Sequence, residues 1–266
     1  MYEFAYHRPT SLSDAEALLS AHDDAKLLAG GHTLLPTMKQ RLASPGNLID
    51  LAGLRSELAG IKEENGGVTI GAMTRHGEVA DSEIVQRVIP ALAGMAAVVG
   101  DPAVRSRGTM GGSVANNDPA ADYPAACLGL NATIRTNKRE IKAADYFVGL
   151  FETALQEGEI VTAIHFPKPE KAGYEKFRNP ASRYAMVGVF VAKTTEGVRV
   201  TVTGAGANGV FRAKEFEAAL ESDFSVGAIQ NVKASPDELN TDIHADASYR
   251  AHLIGVMAKR ALEAAR

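Results

Sequence analysis

The chain pairs glycines in two places, and each pair stands among hydroxyl and polar side chains. The first pair lies in LLAGGHTLLPTMKQRLASP, residues 27–45, where Gly30 and Gly31 separate an apolar run from a segment with helical character. Glycines here put no side chain between backbone and ligand, and they permit positive φ. Consecutive N–H groups can then converge on an anion. The helix that follows turns its positive end to the same point, with Pro36 suited to its first turn and Thr33 adding a hydroxyl. This is phosphate-binding chemistry, though not of the Walker type, because no G-K-[ST] follows and Lys39 falls inside the helix. A tight strand-to-helix turn with no ligand has the same pattern.

The second pair lies in GTMGGSVANNDPAADYP, residues 108–124. Thr109 and Ser113 flank Gly111 and Gly112, and Asn116, Asn117, Asp118 and Asp122 follow. A carboxylate such as Asp122 can accept hydrogen bonds from a ribose. The competing reading is an ordinary polar loop, since Asn and Asp bond readily to their own backbone. Two such stretches, about 80 residues apart, point to one long phosphate-bearing ligand held between two regions. A third stretch, VTVTGAGANGVFRAKEFEAAL, places Gly204, Gly206 and Gly209 as G-x-G-x-x-G. The dinucleotide fingerprint also needs a second strand and an acidic residue about 20 positions on. Asp223 comes too soon and no such strand follows, so this stretch reads as a strand-end turn.

Composition narrows the function further. The net charge is −4 and there is no basic run, which leaves no electrostatic footprint for nucleic acid. No apolar stretch approaches the roughly 20 residues of a membrane span, and the opening MYEFAYHRPT lacks a signal-peptide pattern. The expected location is the cytoplasm. Cys127 is the only cysteine, so neither an intrachain disulfide nor an iron–sulfur cluster on this chain's own thiolates is available. Its apolar setting predicts a buried structural thiol. No two of the seven histidines have i, i+4 spacing, and no bound metal is expected.

The elements that must position these stretches follow from periodicity. SLSDAEALLSAHDD reads as a capped helix, AKLLAG as a short buried strand, LPTMKQRLA as a helix and NLIDL as a second strand. GGVTIGAMT opens a second region as a strand. RHGEVADSEIVQRVIPALAGMAAVVG is mostly helical with a break at Pro90. ATIRT and REIKAADYF form a hairpin, and EIVTAIHFP is another strand. KPEKAGYEKFRNPAS reads as a turn-rich linker. Beyond it come two strands, AMVGVFVAKT and VRVTVTGA, then helices ending in the amphipathic DASYRAHLIGVMAKRALEAA.

The two glycine stretches together resemble the FAD-binding medium subunit of the molybdenum hydroxylases. The segments AGGHTLLPTMKQRLASPGNLIDL and RGTMGGSVANNDPAADYPAACLGLNATI carry the likeness. It extends from FAYHRPTSLSDAEALL through EIVTAIHFP and YEKFRNPASRYAMVGVFVA to DIHADASYRAHLIGVMAKRAL. The pattern is similar to that of carbon monoxide dehydrogenase-like medium subunits and of the flavin domain of xanthine dehydrogenase. The resemblance implies an α+β protein. Two α/β subdomains (residues 1–57 and 58–172) would make an FAD-binding fold of the vanillyl-alcohol oxidase type, and residues 173–266 would add an antiparallel sheet with helices.

It also implies site residues. Ala29, Gly30, Gly31, His32, Thr33, Leu34, Leu35 and Pro36 match the loop that holds the FAD pyrophosphate by backbone amides. Thr109, Met110, Gly111, Gly112 and Ser113 match a second phosphate-facing loop. Asn116, Asp118 and Asp122 lie in the acidic stretch, with Asp122 toward the adenosine. Gly100 matches the lining of the flavin site, and Val161 an apolar position near the nucleotide. Lys176 or Arg178 matches a basic position near the isoalloxazine, and Tyr184 a position near its face. Whether His32 touches the flavin or only completes the turn stays open. No catalytic residue is assigned to the chain. The implied partners are a [2Fe–2S] small subunit and a molybdenum-cofactor large subunit, as a dimer of heterotrimers. The alternatives are a self-contained FAD-dependent oxidase and a non-redox nucleotide-binding scaffold.

Overall fold

The computed structural model describes residues 1–266. Three sheets take up the chain in succession. The strands β1 (Ala5–His7), β2 (Ala25–Leu28) and β3 (Asn47–Asp50) form a parallel sheet with β3 in the middle. Parallel neighbours need a crossover. The helix Leu12–Ala21 supplies the first one, capped by the Ser11 hydroxyl, which accepts from Asp14 N at 3.1 Å. Ala15 of that helix packs on Ile49, Leu51 and Leu54.

The second sheet is antiparallel. It is built from β4 (Ile61–Glu64), β5 (Gly67–Gly71), β6 (Thr133–Thr136) and β7 (Glu140–Lys142). A small hairpin follows, β8 (Phe147–Gly149) with β9 (Glu152–Thr153), and then β10 (Val161–Pro167) enters the centre of the sheet between β5 and β6. The third sheet runs in sequence order: β11 (Lys171–Arg178), β12 (Ala185–Thr194), β13 (Gly197–Thr203) and β14 (Phe211–Arg212).

Strand alternation explains how the third sheet binds two layers at once. On β13, Val198, Val200 and Val202 join the core beneath the helix Ala247–Ala264. Thr201 and Thr203 face the other way and donate to Ala125 O at 2.7 Å and Ala121 O at 2.6 Å in the middle region. Gly173 on β11 is required by close approach to that C-terminal helix, since a Cβ there would lie 1.9 Å from Ala261 O.

The strands and helices expected from periodicity are present, with four differences, the first being that REIKAADYF is strand only over Glu140–Lys142 and helical over Ala143–Tyr146. KPEKAGYEKFRNPAS is not a linker: Lys171–Arg178 pairs along the whole of β12. Turn-prone residues at its ends hid a strand whose alternation needs a partner to stabilise it. The predicted helix 35–43 stops at Lys39, and Arg41 takes φ 61°. The stretch after Thr109 is not a loop, because Met110–Asn116 is helical. The strand-end turn expected at Gly204 is present, with φ 81° there. No helix is long and apolar enough to cross a membrane.

One buried ion pair ties the middle region to the third sheet. Asp122 accepts a hydrogen bond from Tyr174 Oη and another from Lys176 Nζ, with Nζ 2.9 Å from Oδ1 and 3.0 Å from Oδ2. Side-chain exposures of 1% for Lys176 and 5% for Asp122 remove water as a substitute partner. Burial pushes the Asp122 carboxyl above the usual range, while the Lys176 charge and the Tyr174 hydroxyl act against it. Removing one partner strands a buried charge, which costs about 3–5 kcal/mol, whereas replacing both by apolar groups is often neutral. Asp122→Ala is expected to lower the urea midpoint of the ligand-free chain strongly. The double variant Asp122→Leu/Lys176→Met is expected to recover most of that loss.

Candidate functional site

A cleft of about 1430 Å³ opens where the three regions meet. Its volume exceeds the roughly 300–1,000 Å³ of ordinary small-molecule pockets, which suits an extended dinucleotide. The parallel sheet delivers the first glycine pair to this cleft. After β2 ends at Leu28 the chain turns at Gly31, with φ 73°, and enters the helix Leu34–Lys39. The N–H groups of Gly30, Gly31, His32, Thr33 and Leu34 donate to no acceptor within the chain, and all five residues line the cleft. A helix start leaves its first N–H groups without chain partners, and these five belong to exposed or half-buried residues that lead into one. Five consecutive free donors on a concave wall form an anion cradle. Gly30 also meets the region of the second pair, because a Cβ there would lie 2.4 Å from Arg107 O.

The second glycine pair does different work. Met110 N donates to Thr74 O at 2.9 Å, Gly111 N to Ala72 O at 2.9 Å, Gly112 N to Thr109 Oγ1 at 3.2 Å and Ser113 N to Thr109 O at 3.0 Å. All four amides are used inside the chain, while Thr109, Gly111, Gly112 and Ser113 still line the cleft. The glycines are needed for packing: a Cβ on Gly111 would lie 2.4 Å from Ala72 Cβ. Only the Thr109 N–H of this turn lacks a partner in the chain.

Most of the remaining expected residues reach the cleft. Ala29, Gly100, Thr109, Gly111, Gly112, Ser113, Asn116, Asp118, Asp122, Val161 and Tyr184 line it. Leu35, Pro36 and Met110 do not: Met110 is buried, Leu35 is half-buried and Pro36 is exposed elsewhere on the surface. Lys176 and Arg178 do not line it either. Lys176 is spent on Asp122, and both lie against a separate cavity. Lys176 therefore meets the cleft only through the carboxylate of Asp122. One oxygen of Asp118 accepts from Ala120 N at 2.8 Å, so it partly holds its own turn.

The sequence reading missed several wall residues. Ser182, Asn240, Asp242 and Arg250 come from the third region, so the cleft has three walls and not two. Arg250 was recognisable, because it lies on the helix face that carries Leu253, Ile254 and Met257, all buried. Its guanidinium donates to Met186 O at 2.6 Å, Gly204 O at 3.0 Å and Asp242 Oδ2 at 2.7 Å, fixing the loop before the helix. His76 and Tyr123 were also missed. Their rings lie 5.3 Å apart, and His76 Nδ1 and Tyr123 Oη are buried without hydrogen bonds. Burial pushes His76 down to about 4, helped by the nearby charges of His32 and Arg105.

His76 is thus neutral in the folded chain at pH 7. In the unfolded chain a histidine binds its proton near pH 6.5, while folded His76 resists down to about 4. Between those values the unfolded state holds more protons, so stability falls as pH falls. Denaturant titrations of the ligand-free chain are expected to lose roughly 3 kcal/mol across this window, at about 1.4 kcal/mol per pKa unit. His76→Leu is expected to flatten that part of the profile.

Comparison with known proteins agrees with this geometry. Residues 2–169 match the family described as the FAD binding domain in molybdopterin dehydrogenase. The carbon monoxide dehydrogenase medium chain of Hydrogenophaga pseudoflava is 36% identical, covering 98% of this chain and 96% of that one. The glyceraldehyde dehydrogenase medium chain of Sulfolobus acidocaldarius is 37% identical, with 81% and 80% covered. Among solved structures, a chain of carbon monoxide dehydrogenase from Hydrogenophaga pseudoflava superposes with a TM-score of 0.89 at 38% identity, covering 99% and 97%. A chain of quinoline 2-oxidoreductase from Pseudomonas putida 86 gives 0.88 at 27% identity, covering 99% and 97%. With its cleft, its free amides and a match over more than half its length, the chain belongs to the FAD-binding domain family of the molybdopterin dehydrogenases, which includes the medium chains of the carbon monoxide dehydrogenases.

Proposed function

We propose that this chain is the electron-transfer subunit of a molybdenum hydroxylase complex and that FAD lies in the three-walled cleft. The observation that carries the reading is the run of five free amides from Gly30 to Leu34. A pyrophosphate supplies the acceptors these donors lack, and the left-handed turn at Gly31 points them to one place. Thr109 N–H and the Asn116 side chain add polar contacts on the facing wall. Tyr184 lines the cleft, steadied by His244 at 6.5 Å between ring centroids and by Asn179 Nδ2 at 3.4 Å from its hydroxyl, which supports its assignment beside the ring system.

When bound, FAD supplies redox chemistry that accepts electrons singly and delivers them in pairs. The chain's own residues bind it, orient it and limit water around it. The relatives' designation as medium chains supports partner subunits. We assign these as a [2Fe–2S] small subunit that delivers electrons and a molybdenum-cofactor large subunit that hydroxylates substrate, assembled as a dimer of heterotrimers in the cytoplasm. Electrons then leave from the flavin to an external acceptor.

Purified chain incubated with FAD is expected to retain one flavin per chain after gel filtration and to be yellow. Gly31→Val places a branched side chain at φ 73° with its Cβ 2.9 Å from Leu35 Cδ1. It is expected to weaken FAD binding at least tenfold while circular dichroism still reports the native fold. Retention of stoichiometric FAD by this variant contradicts the cradle. Co-purification with an iron–sulfur subunit separates the complex from a self-contained oxidase.

A further inference from the structure

A second cavity, of about 480 Å³, shares no lining residue with the cleft but adjoins it through side chains in contact. Asp122 lines the cleft, whereas the two side chains that hold it, Tyr174 and Lys176, line the second cavity. The buried ion pair is therefore the partition between them. One wall of this cavity is the helix Pro90–Ala97, which turns Ala91, Gly94 and Ala97 toward it. This wall is apolar and shallow, and a Cβ on Gly94 would meet nothing within 4 Å.

The opposite wall is cationic. Lys176, Arg178 and Arg266 line it, against the single carboxylate side chain of Glu175. Neither Arg178 nor Arg266 has an ion-pair partner in the chain, so their charges are free for a ligand. Main-chain donors face the same space. Ala172 exchanges hydrogen bonds with Arg266 at 3.0 and 3.1 Å on the outer edge of β11. Alternation along an antiparallel strand puts the N–H of Tyr174 on that same edge, beside the cavity. The volume falls inside the roughly 300–1,000 Å³ of small-molecule sites.

We propose that this cavity is a second ligand site, for a small organic anion with a flat apolar body, and that its occupancy acts on the FAD cleft through the Lys176–Asp122 pair. The carboxylate of such a ligand meets Arg178 in charge-assisted hydrogen bonds, and its body lies on the Ala91–Ala97 face. A negative charge beside Lys176 competes with Asp122 for the same ammonium, and so alters the field that Asp122 sets in the cleft. Binding at the cavity stands on its own geometry; only the coupling rests on the FAD reading.

The test uses benzoate as the probe, titrated calorimetrically into the full chain with and without FAD. One saturable site is expected in both forms. Arg178→Gln is expected to weaken it at least tenfold. Gly94→Leu, which fills the cavity from an unobstructed helix position, is expected to abolish it, with FAD content unchanged in both variants. With both ligands bound together, the FAD dissociation constant is expected to change at least twofold at saturating benzoate. Absence of saturable binding, equal affinity in both variants, or displacement of FAD by benzoate would each overturn the site. Binding with an unmoved FAD dissociation constant would overturn the coupling. A failure of the FAD reading shows separately, as a colourless chain that still binds benzoate.

Discussion

Five backbone N–H groups without acceptors, from Gly30 to Leu34, set the terms for the rest of this structure. On exposed and half-buried residues these donors keep water as a partner until a ligand's acceptors replace it. Here they are kept free by design of the local chain. The parallel strand ends at Leu28, the turn takes a left-handed glycine, and the next helix begins before any carbonyl can reach back. Gly30 then lets the Arg107–Gly108 backbone approach closely, so the second region closes over the cradle without filling it.

The other walls are held at a distance by polar contacts that need no ligand. Asp122, pinned by Tyr174 and Lys176, fixes the spacing between the middle region and β11. Arg250 does the same for the loop carrying Asp242 and His244, by binding two carbonyls and a carboxylate at once. Thr201 and Thr203 fasten β13 to the segment that leads out of the second glycine stretch. The cleft is thus a space defined by three rigid edges. The same partition gives the smaller cavity its cationic floor, which is why two sites share one ion pair.

Much of this was legible in the residues. The pattern of Gly30, Gly31, Thr33 and Pro36 specified a turn with exposed amides, because glycine conformation and helix entry are local properties. The buried strands β2, β3, β5, β10, β12 and β13 were readable from apolar runs. What was not legible depended on partners distant in sequence. Residues 171–178 read as a linker until β12 lies beside them. Gly111 and Gly112 looked like a phosphate loop, but Ala72 O and Thr109 Oγ1 already take their amides. Lys176 looked free for a flavin, but Asp122, 54 residues earlier, holds it. The third wall was missed because Asn240 and Asp242 carry no periodic signal.

Amide hydrogen exchange of the chain with and without FAD tests the central claim most directly, because it reads the individual donors. The N–H groups of residues 30–34 are expected to exchange freely without ligand and to become strongly protected when FAD binds. Those of Met110 to Ser113 are expected to be protected in both states. Protection gained at 110–113 with residues 30–34 unchanged would contradict the account and return the phosphates to the second glycine pair.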